Sequence, residues 1–418
     1  MVDDDRTVGG FGSEFTLERP HPRPDAADDE RLLSGEAWSD FCDRLKDAGR
    51  QVLDEHAPGT PLERAEGFRY LANLTQAGIR HAFNLDPLLP RFLRHPDSTS
   101  KYGAENADNL YHLCRIRSDR TYRIRGRRNS AFAFLLETKQ GYMQLGEMEN
   151  YATLDSEALE LDTDGGFEIT LSAERHPGNW VPLHPEATQV LIRQYLVDWE
   201  HEVPATFEIQ DVAAEGLPPE PLTPHRVARQ LDEAGFWIGT TVRMWNEWVR
   251  DYRDRRRDGV LAPATRFAGG ADDIFYGNDA YRLRDAGEAL LIEAEVPDAR
   301  YWQFQLVDLW FCSADYANRQ SSLNHHQLHC DADGRARIVV AVRDPGVPNW
   351  LDTGGHLEGI LQYRYIWTRN APAPTIRPLP LAELRAALPA GHPVVGPAER
   401  REAIARRQAH LRRREPLC

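Results

Sequence analysis

The chain has 418 residues, a length suited to two domains and their connections rather than to one core. Hydrophobic residues at 41% and charged residues at 28% give a soluble globular balance, and no run approaches the roughly 18 apolar residues of a membrane span. The net charge of −15 argues against a broad surface for nucleic acid or for an anionic membrane.

The N-terminal stretch "MVDDDRTVGGFGSEF" lacks the basic start and apolar run of a secretion signal, which predicts a cytoplasmic protein. Cys42, Cys114, Cys312, Cys330 and Cys418 are odd in number and never spaced CxxC, as expected of reduced thiols in that compartment. Residues 1–30 read as a disordered acidic tail. Residues 31–100 read as a helical region. Within "GEAWSDFCDRLKDAGRQVLDEH", Trp38, Phe41, Leu45, Ala48 and Val52 recur at intervals of three and four. In "TPLERAEGFRYLANLTQAGIRHAF", Thr60 caps a second helix, Pro61 suits its first position and Glu63 completes a capping box. Its apolar face is assigned to Phe68, Leu71, Ala72, Ile79 and Phe83. "DPLLPRFLRHPD" then breaks into turns at its prolines.

From about residue 105 the period shortens to two. "YRIRG", "AFAFLLE", "FEITLS" and "QVLIRQYLVDW" are short β-rich runs punctuated by Gly, Asp, Asn and Pro, and they predict a first β-sandwich over 105–215. Residues 222–262 predict one amphipathic helix linking the halves. Val227, Leu231, Ile238, Val242, Trp245 and Val249 mark its apolar stripe, and Phe236, Trp237, Trp245 and Trp248 are too apolar to leave in water. The basic run "RDYRDRRRDG" is interrupted by acids and reads as a solvated helix end. A second sandwich is predicted over 268–385 and a C-terminal helical tail over 386–418.

The two β-regions share landmarks in one order. "ADNLY" at Ala107 answers to "ADDIF" at Ala271, and "YRIRG" at Tyr122 to "YRLRD" at Tyr281. DTDG at Asp162 answers to DADG at Asp331, and Asn179–Trp180 to Asn349–Trp350. A last strand begins at Val190 and at Ile360, ten residues past each Trp. DxDG is a hairpin turn whose Gly takes positive φ. The Trp of each Asn-Trp pair serves as an apolar plug. The fold class is therefore mainly β with flanking helices (α+β): two tandem, duplicated antiparallel β-sandwiches, jelly-roll-like in order and length.

Two stretches carry a family resemblance, "NADNLYHLCRIRSDRTYRIRG … GNWVPLHPEATQVLIRQYLVDWEHEVPA" and "YWQFQLVDLWFCSADYANRQSSLNHHQLHCDADGRARIVVAVRDPGVPNWLDT". In them the sequence resembles bacterial proteins of domain-of-unknown-function family 1214. The resemblance implies jelly-roll sandwiches and no settled reaction. One departure is His325, which stands where a small Gly is expected before the His of the "SLN-x-H" stretch.

Chemistry is expected in "DLWFCSADYANRQSSLNHHQLHCD", the polar connection of the second sandwich. The first sandwich has only the flexible "ETKQGYMQLGEMENYATLDSE" there, so one loop of a duplicated pair looks specialised. Asp308, Asn318, Arg319, Gln320, Ser322, Asn324 and His325 are candidate ligand contacts between walls of Trp302, Trp310 and Tyr316. His326 with Asp315 is the candidate acid/base pair. Arg193, sharing a strand face with aromatic side chains, requires either an internal carboxylate (Asp198, Glu200 or Glu202) or an anionic ligand. On an extended strand His325 and His329 lie about 13 Å apart, at roughly 3.3 Å per residue. A single metal needs its ligands at about 2 Å, so no metal is expected. No GxSxG, P-loop, GxGxxG or HExxH motif is present. Two functions follow. One is a small-molecule binding protein, with hydrolysis or lyase chemistry left open, taking a sugar- or lipid-derived ligand without a cofactor. The other is a non-catalytic scaffold whose helices serve partners or self-association. Neither nucleic acid nor membrane is expected as a partner.

Overall fold

Strand alternation sorts the side chains of the β-regions into two faces. In the computed structural model, which describes residues 6–10, 13–17, 19–266 and 273–415, a hairpin of β1 (Arg6–Gly10) and β2 (Ser13–Leu17) comes first. Three helices follow, α1 (Asp25–Ser34), α2 (Glu36–Val52) and α3 (Pro61–Asn84). The first β-series is β3 (Leu93–Arg94), β4 (Asn109–Arg115), β5 (Tyr122–Arg127), β6 (Ala133–Lys139), β7 (Asn150–Asp155), β8 (Gly166–Ser172), β9 (Asn179–Pro182), β10 (Gln189–Tyr195) and β11 (Thr206–Asp211). After α4 (Pro224–Arg255) comes the second series: β12 (Ile274–Arg282), β13 (Glu288–Glu295), β14 (Ala299–Val307), β15 (Ser322–Asn324), β16 (Arg335–Ala341), β17 (Trp350–Asp352), β18 (Glu358–Thr368) and β19 (Thr375–Pro380). Helices α5 (Leu384–Ala387) and α6 (Pro397–Arg414) close the chain. Among the described residues no helix is long and apolar enough to cross a membrane.

The first sandwich pairs its strands as β3-β4-β10-β6-β7 and β11-β5-β8-β9, and the second as β12-β18-β14-β15 and β19-β13-β16-β17. Read strand against strand, the two orders are the same once β3, an extra edge strand of the first sandwich, is set aside. Even the exceptional parallel pairing recurs, β8 with β9 and β16 with β17. Duplication is therefore a property of the fold. Gly165 and Gly334 both take the positive φ that the DxDG turns require.

The "YRIRG" landmark does not correspond, however. Tyr122 opens β5, whereas Tyr281 lies near the end of β12, the counterpart of β4. Ala271 lies outside the described residues.

The chain forms two compact units, and the boundaries differ from a simple tandem. The first comprises Met1–Tyr102, Asn109–Tyr195 and Pro204–Arg250; the second comprises Gly103–Asp108, Leu196–Val203 and Asp251–Cys418. In the second unit Ile292, Ala294, Phe304, Leu306, Ile338, Val340, Leu361 and Tyr363 fill the space between the two sheets. The alternate residues Ala289, Leu291, Val339 and Ala341 face outward and are covered with Leu384 and Leu388.

The helical expectations need two corrections. Residues 25–30 belong to α1, whose Asp28 is buried and held by Arg31 and Arg229, so this part of the predicted tail is ordered. The capping box of α3 forms, but its assigned apolar face points outward: Phe68, Ile79 and Phe83 are exposed, while Tyr70, Leu74, Ala77, Gly78 and His81 are buried. The C-terminal tail is helical over Pro397–Arg414, as expected, but it is packed rather than trailing, with Arg400, Arg407, His410 and Arg414 all buried.

Candidate functional site

Three short segments cover the outward face of the β12-β18-β14-β15 sheet within the second unit: 103–108, 196–203 and α6. That face is polar, carrying Tyr301, Gln303 and Gln305 on β14, Gln362 and Arg364 on β18, and Ser322 and Asn324 on β15. Asp108 sits against it, 1% exposed. Its carboxylate accepts from Tyr301 Oη at 2.5 Å, Asn324 Nδ2 at 2.8 Å and Trp199 Nε1 at 2.7 Å. Burial pushes this carboxyl above its ordinary value against those three donors. Arg407 donates to Ser322 Oγ and to the Tyr316 carbonyl, both at 3.2 Å, and burial pulls it down to about 10. Arg414 lies over the rings of Trp199 and Tyr316, 5.4 and 5.3 Å from their centroids. A network whose charges are met by protein donors and rings fixes one arrangement of the segments it joins.

The loop residues expected to bind a ligand are largely drawn into such internal work. Asp308 Oδ1 accepts from the backbone N–H of Trp310 and Cys312, each at 2.9 Å. Trp302 is packed between the sheets, Trp310 is fully buried, and Tyr316 packs on Ala107 and Trp199. Gln320 donates to the carbonyls of Pro348 and Trp350 at 2.8 and 2.7 Å and accepts from Arg400 at 2.7 Å. Arg319 pairs with Asp352 at 3.0 Å. Burial lowers the pKa of His325, which meets the Tyr301 ring edge-on.

The expected pair of His326 and Asp315 is not formed. His326 is exposed with Nε2 3.9 Å from Asp198, and Asp315 accepts from the Asn318 backbone N–H at 3.0 Å and from its side chain. A local turn bond outcompetes the longer-range one. Arg193 is met inside the first sandwich by Glu137 of β6, diagonal to it across the β10–β6 pair, and not by Asp198, Glu200 or Glu202.

The first unit holds a cavity of about 720 Å³ that no sequence motif marked. Its charges balance. Arg19 pairs with Glu147 at 2.8 Å, Arg23 with Asp232 at 3.1 Å, Arg229 with Asp28 at 2.8 Å, and Arg115 with Glu233. Pro20, Pro22, Pro87, Ile116, Leu145 and Phe236 supply apolar wall.

Tyr142 also lines it, and its hydroxyl meets His81 Nδ1 at 2.7 Å; His81 Nε2 in turn meets His95 Nδ1 at 2.7 Å. Burial carries His81 well below its ordinary value, His95 down to about 3 and Tyr142 up to about 12. Both imidazoles are thus neutral, and the three groups form a one-way line of donors. Reversing both tautomers changes the Tyr142 hydroxyl from a donor to His81 into a donor available to the cavity. The sequence did contain a signal for His81: it stands on a second stripe of α3, with Tyr70, Leu74 and Ala77, that the bulkier residues outweigh.

Comparison with known proteins follows the duplicated fold. The family model described as "Protein of unknown function (DUF1214)" matches residues 114–198 and 265–368, one segment in each sandwich. A crystal structure of an uncharacterised protein from Burkholderia cenocepacia is 36% identical and superposes with a TM-score of 0.81, covering 85% of this chain and 99% of that one. The VPA0106 protein from Vibrio parahaemolyticus is 12% identical with a TM-score of 0.45, covering 80% of this chain and 100% of that one. No curated protein matches the chain. With both sandwiches matched and a relative alike over nearly its whole length, this chain belongs to the DUF1214 family of proteins of unknown function.

Proposed function

We propose that the protein binds a small neutral or zwitterionic organic molecule, sugar- or lipid-derived, in the first-unit cavity rather than at the loop of the second sandwich. The charge-compensated cavity carries this reading. Four guanidinium–carboxylate pairs offer polar contacts without net charge, apolar walls flank them, and the volume falls in the range of small-molecule sites. Binding, not turnover, is the activity this supports, since the proposed acid/base pair of the loop has separate partners. Cytoplasmic residence belongs to the same reading, as Cys42, Cys114, Cys312 and Cys330 are free thiols.

The test is a thermal-shift screen of sugars, acyl compounds and sterols on the full chain. A ligand at a hundredfold excess over its Kd stabilises by about 2.7 kcal/mol, enough for a clear rise in Tm. Tyr142→Phe is expected to lose most of that rise and His326→Ala to keep it. The reverse pattern would return the site to the second-sandwich loop.

A second reading, self-association with a second copy of this chain, is favoured by the exposed stripe of α3, where Phe68, Ile79 and Phe83 are 45%, 39% and 37% exposed. Light scattering that gives a monomer mass at all accessible concentrations removes it.

A further inference from the structure

The two DxDG turns are alike in backbone, but their first aspartates are used differently. In the first copy Asp162 Oδ1 accepts from the backbone N–H of Asp164 at 3.1 Å and of Gly166 at 2.5 Å. In the second copy Asp333 takes the backbone N–H of Arg335 at 3.2 Å. Asp331 is thereby released from the turn. Its Oδ2 accepts from Arg337 at 2.7 Å, while its Oδ1 lies 2.9 Å from His392 Nδ1 and 3.5 Å from His329 Nε2. One ligand atom from each of His329, Asp331 and His392 lies within 4.8 Å of the other two. The His392 side chain is fully buried and turns its Nδ1 towards Asp331.

We propose that His329, Asp331 and His392 form a site for one divalent transition-metal ion, with zinc the best fit. Two imidazoles and one carboxylate are a zinc-like donor set, and three protein ligands leave a fourth position for water. Donors about 2.1 Å from a tetrahedral zinc lie about 3.4 Å apart, a value the 2.9 and 3.5 Å separations bracket. The neighbouring Arg337 does not spoil the site with uncompensated charge, because Glu293 and Asp333 also hold it at 3.0 and 2.7 Å. It serves instead as the outer partner that orients the Asp331 carboxylate.

Asn349 fixes the backbone of His329, accepting from its N–H at 2.8 Å and donating to its carbonyl at 2.7 Å. Asn179 makes the same clamp on Glu160 in the first copy, where the side chain is an exposed carboxylate and Asp162 is committed to the turn. Only the second copy is equipped. The spacing argument against a metal compared His325 with His329 and did not reach His392, which lies 61 residues beyond Asp331.

The experiment strips the full-length protein with EDTA, reloads it with zinc alone, and reads metal content by mass spectrometry and affinity by competition with a chromophoric chelator. One equivalent is expected in the wild type. Half-buried His329 is replaceable without opening the core, so His329→Ala is expected to keep its circular dichroism and weaken binding at least about tenfold. Asp331→Asn should weaken it as well. Cys330→Ser removes the exposed thiol next door and should leave binding unchanged. The proposal is overturned by no saturable zinc in the wild type, by equal binding in folded His329→Ala and Asp331→Asn, or by loss confined to Cys330→Ser. None of these outcomes bears on the first-unit cavity.

Discussion

Asn349 is fully buried and spends its whole side chain on backbone: Oδ1 accepts from His329 N–H, and Nδ2 donates to the carbonyls of His329 and Arg337 at 2.7 and 2.9 Å. It ties both arms of the second DxDG turn to the start of β17. Replacing it by Ala leaves three backbone groups without their partner, that of Arg337 buried and those of His329 partly so, and Asn349→Ala is expected to cost about 2–4 kcal/mol, read as a lower urea midpoint at unchanged m. Asn179→Ala, at a half-buried site where water can substitute, should cost clearly less. Equal costs would contradict this assignment. The Asn-Trp pair was visible in the sequence as a repeated landmark, but only the Trp had an evident purpose. The role of the Asn depends on carbonyls that lie far away in sequence, and no local pattern announces those.

Helix α3 shows where pattern reading succeeds and where it misleads. Its start was legible because a capping box is local chemistry: Thr60 Oγ1 accepts from Glu63 N–H at 3.2 Å and Glu63 returns the bond at 3.1 Å. Its buried face was not. Close helix approach favours small residues, so the buried stripe includes Ala77 and Gly78, the latter against α4, and both score poorly beside Phe68 and Ile79. A Cβ on Gly78 would stand 2.5 Å from Ile238 Cγ1 and 3.2 Å from Trp237. Gly78→Ala is therefore expected to destabilise by about 1–3 kcal/mol, although Ala is the better helix former by about 1 kcal/mol. The adjacent Ile79→Ser, on the outward face, should change stability by no more than about 0.5 kcal/mol. Thermal melts of the two variants decide the matter, and a larger loss at Ile79 would restore the original face. The internal partners of the second-sandwich loop were hidden for a related reason. Its polar residues looked functional because a sequence does not reveal that segments 103–108, 196–203 and α6 arrive to satisfy them.

At the scale of the whole molecule, four histidines with lowered pKa values set the response to acid. His81 is held well below its ordinary value, His95 and His112 at about 3 and His410 at about 2, each chiefly by burial. Unfolded, each titrates near 6.5, so below that pH the unfolded chain binds more protons than the native one. Their stabilising contribution is complete above about pH 6.5 and is lost as pH falls towards 3, at up to about 1.4 kcal/mol per pH unit for each. Asp279, raised to about 6 by burial, acts in the opposite direction between about pH 4 and 6, and Asp108, also raised by burial, acts with it: two groups against four. The urea midpoint is expected to fall steadily from pH 6.5 to 4, and a level profile there would show that these imidazoles are not buried neutral.

Duplication was legible because turn and strand signals are local. The division into units was not, since residues 103–108 and 196–203 leave one sandwich's stretch of chain to complete the other's unit. Asp108 and Trp199 ride on those two excursions. No single cut can therefore part this protein into two working pieces: a fragment beginning at Asp251 would keep Tyr301 and Asn324 but leave behind the carboxylate they hold. However equal its two copies began, the gene now has to be expressed whole.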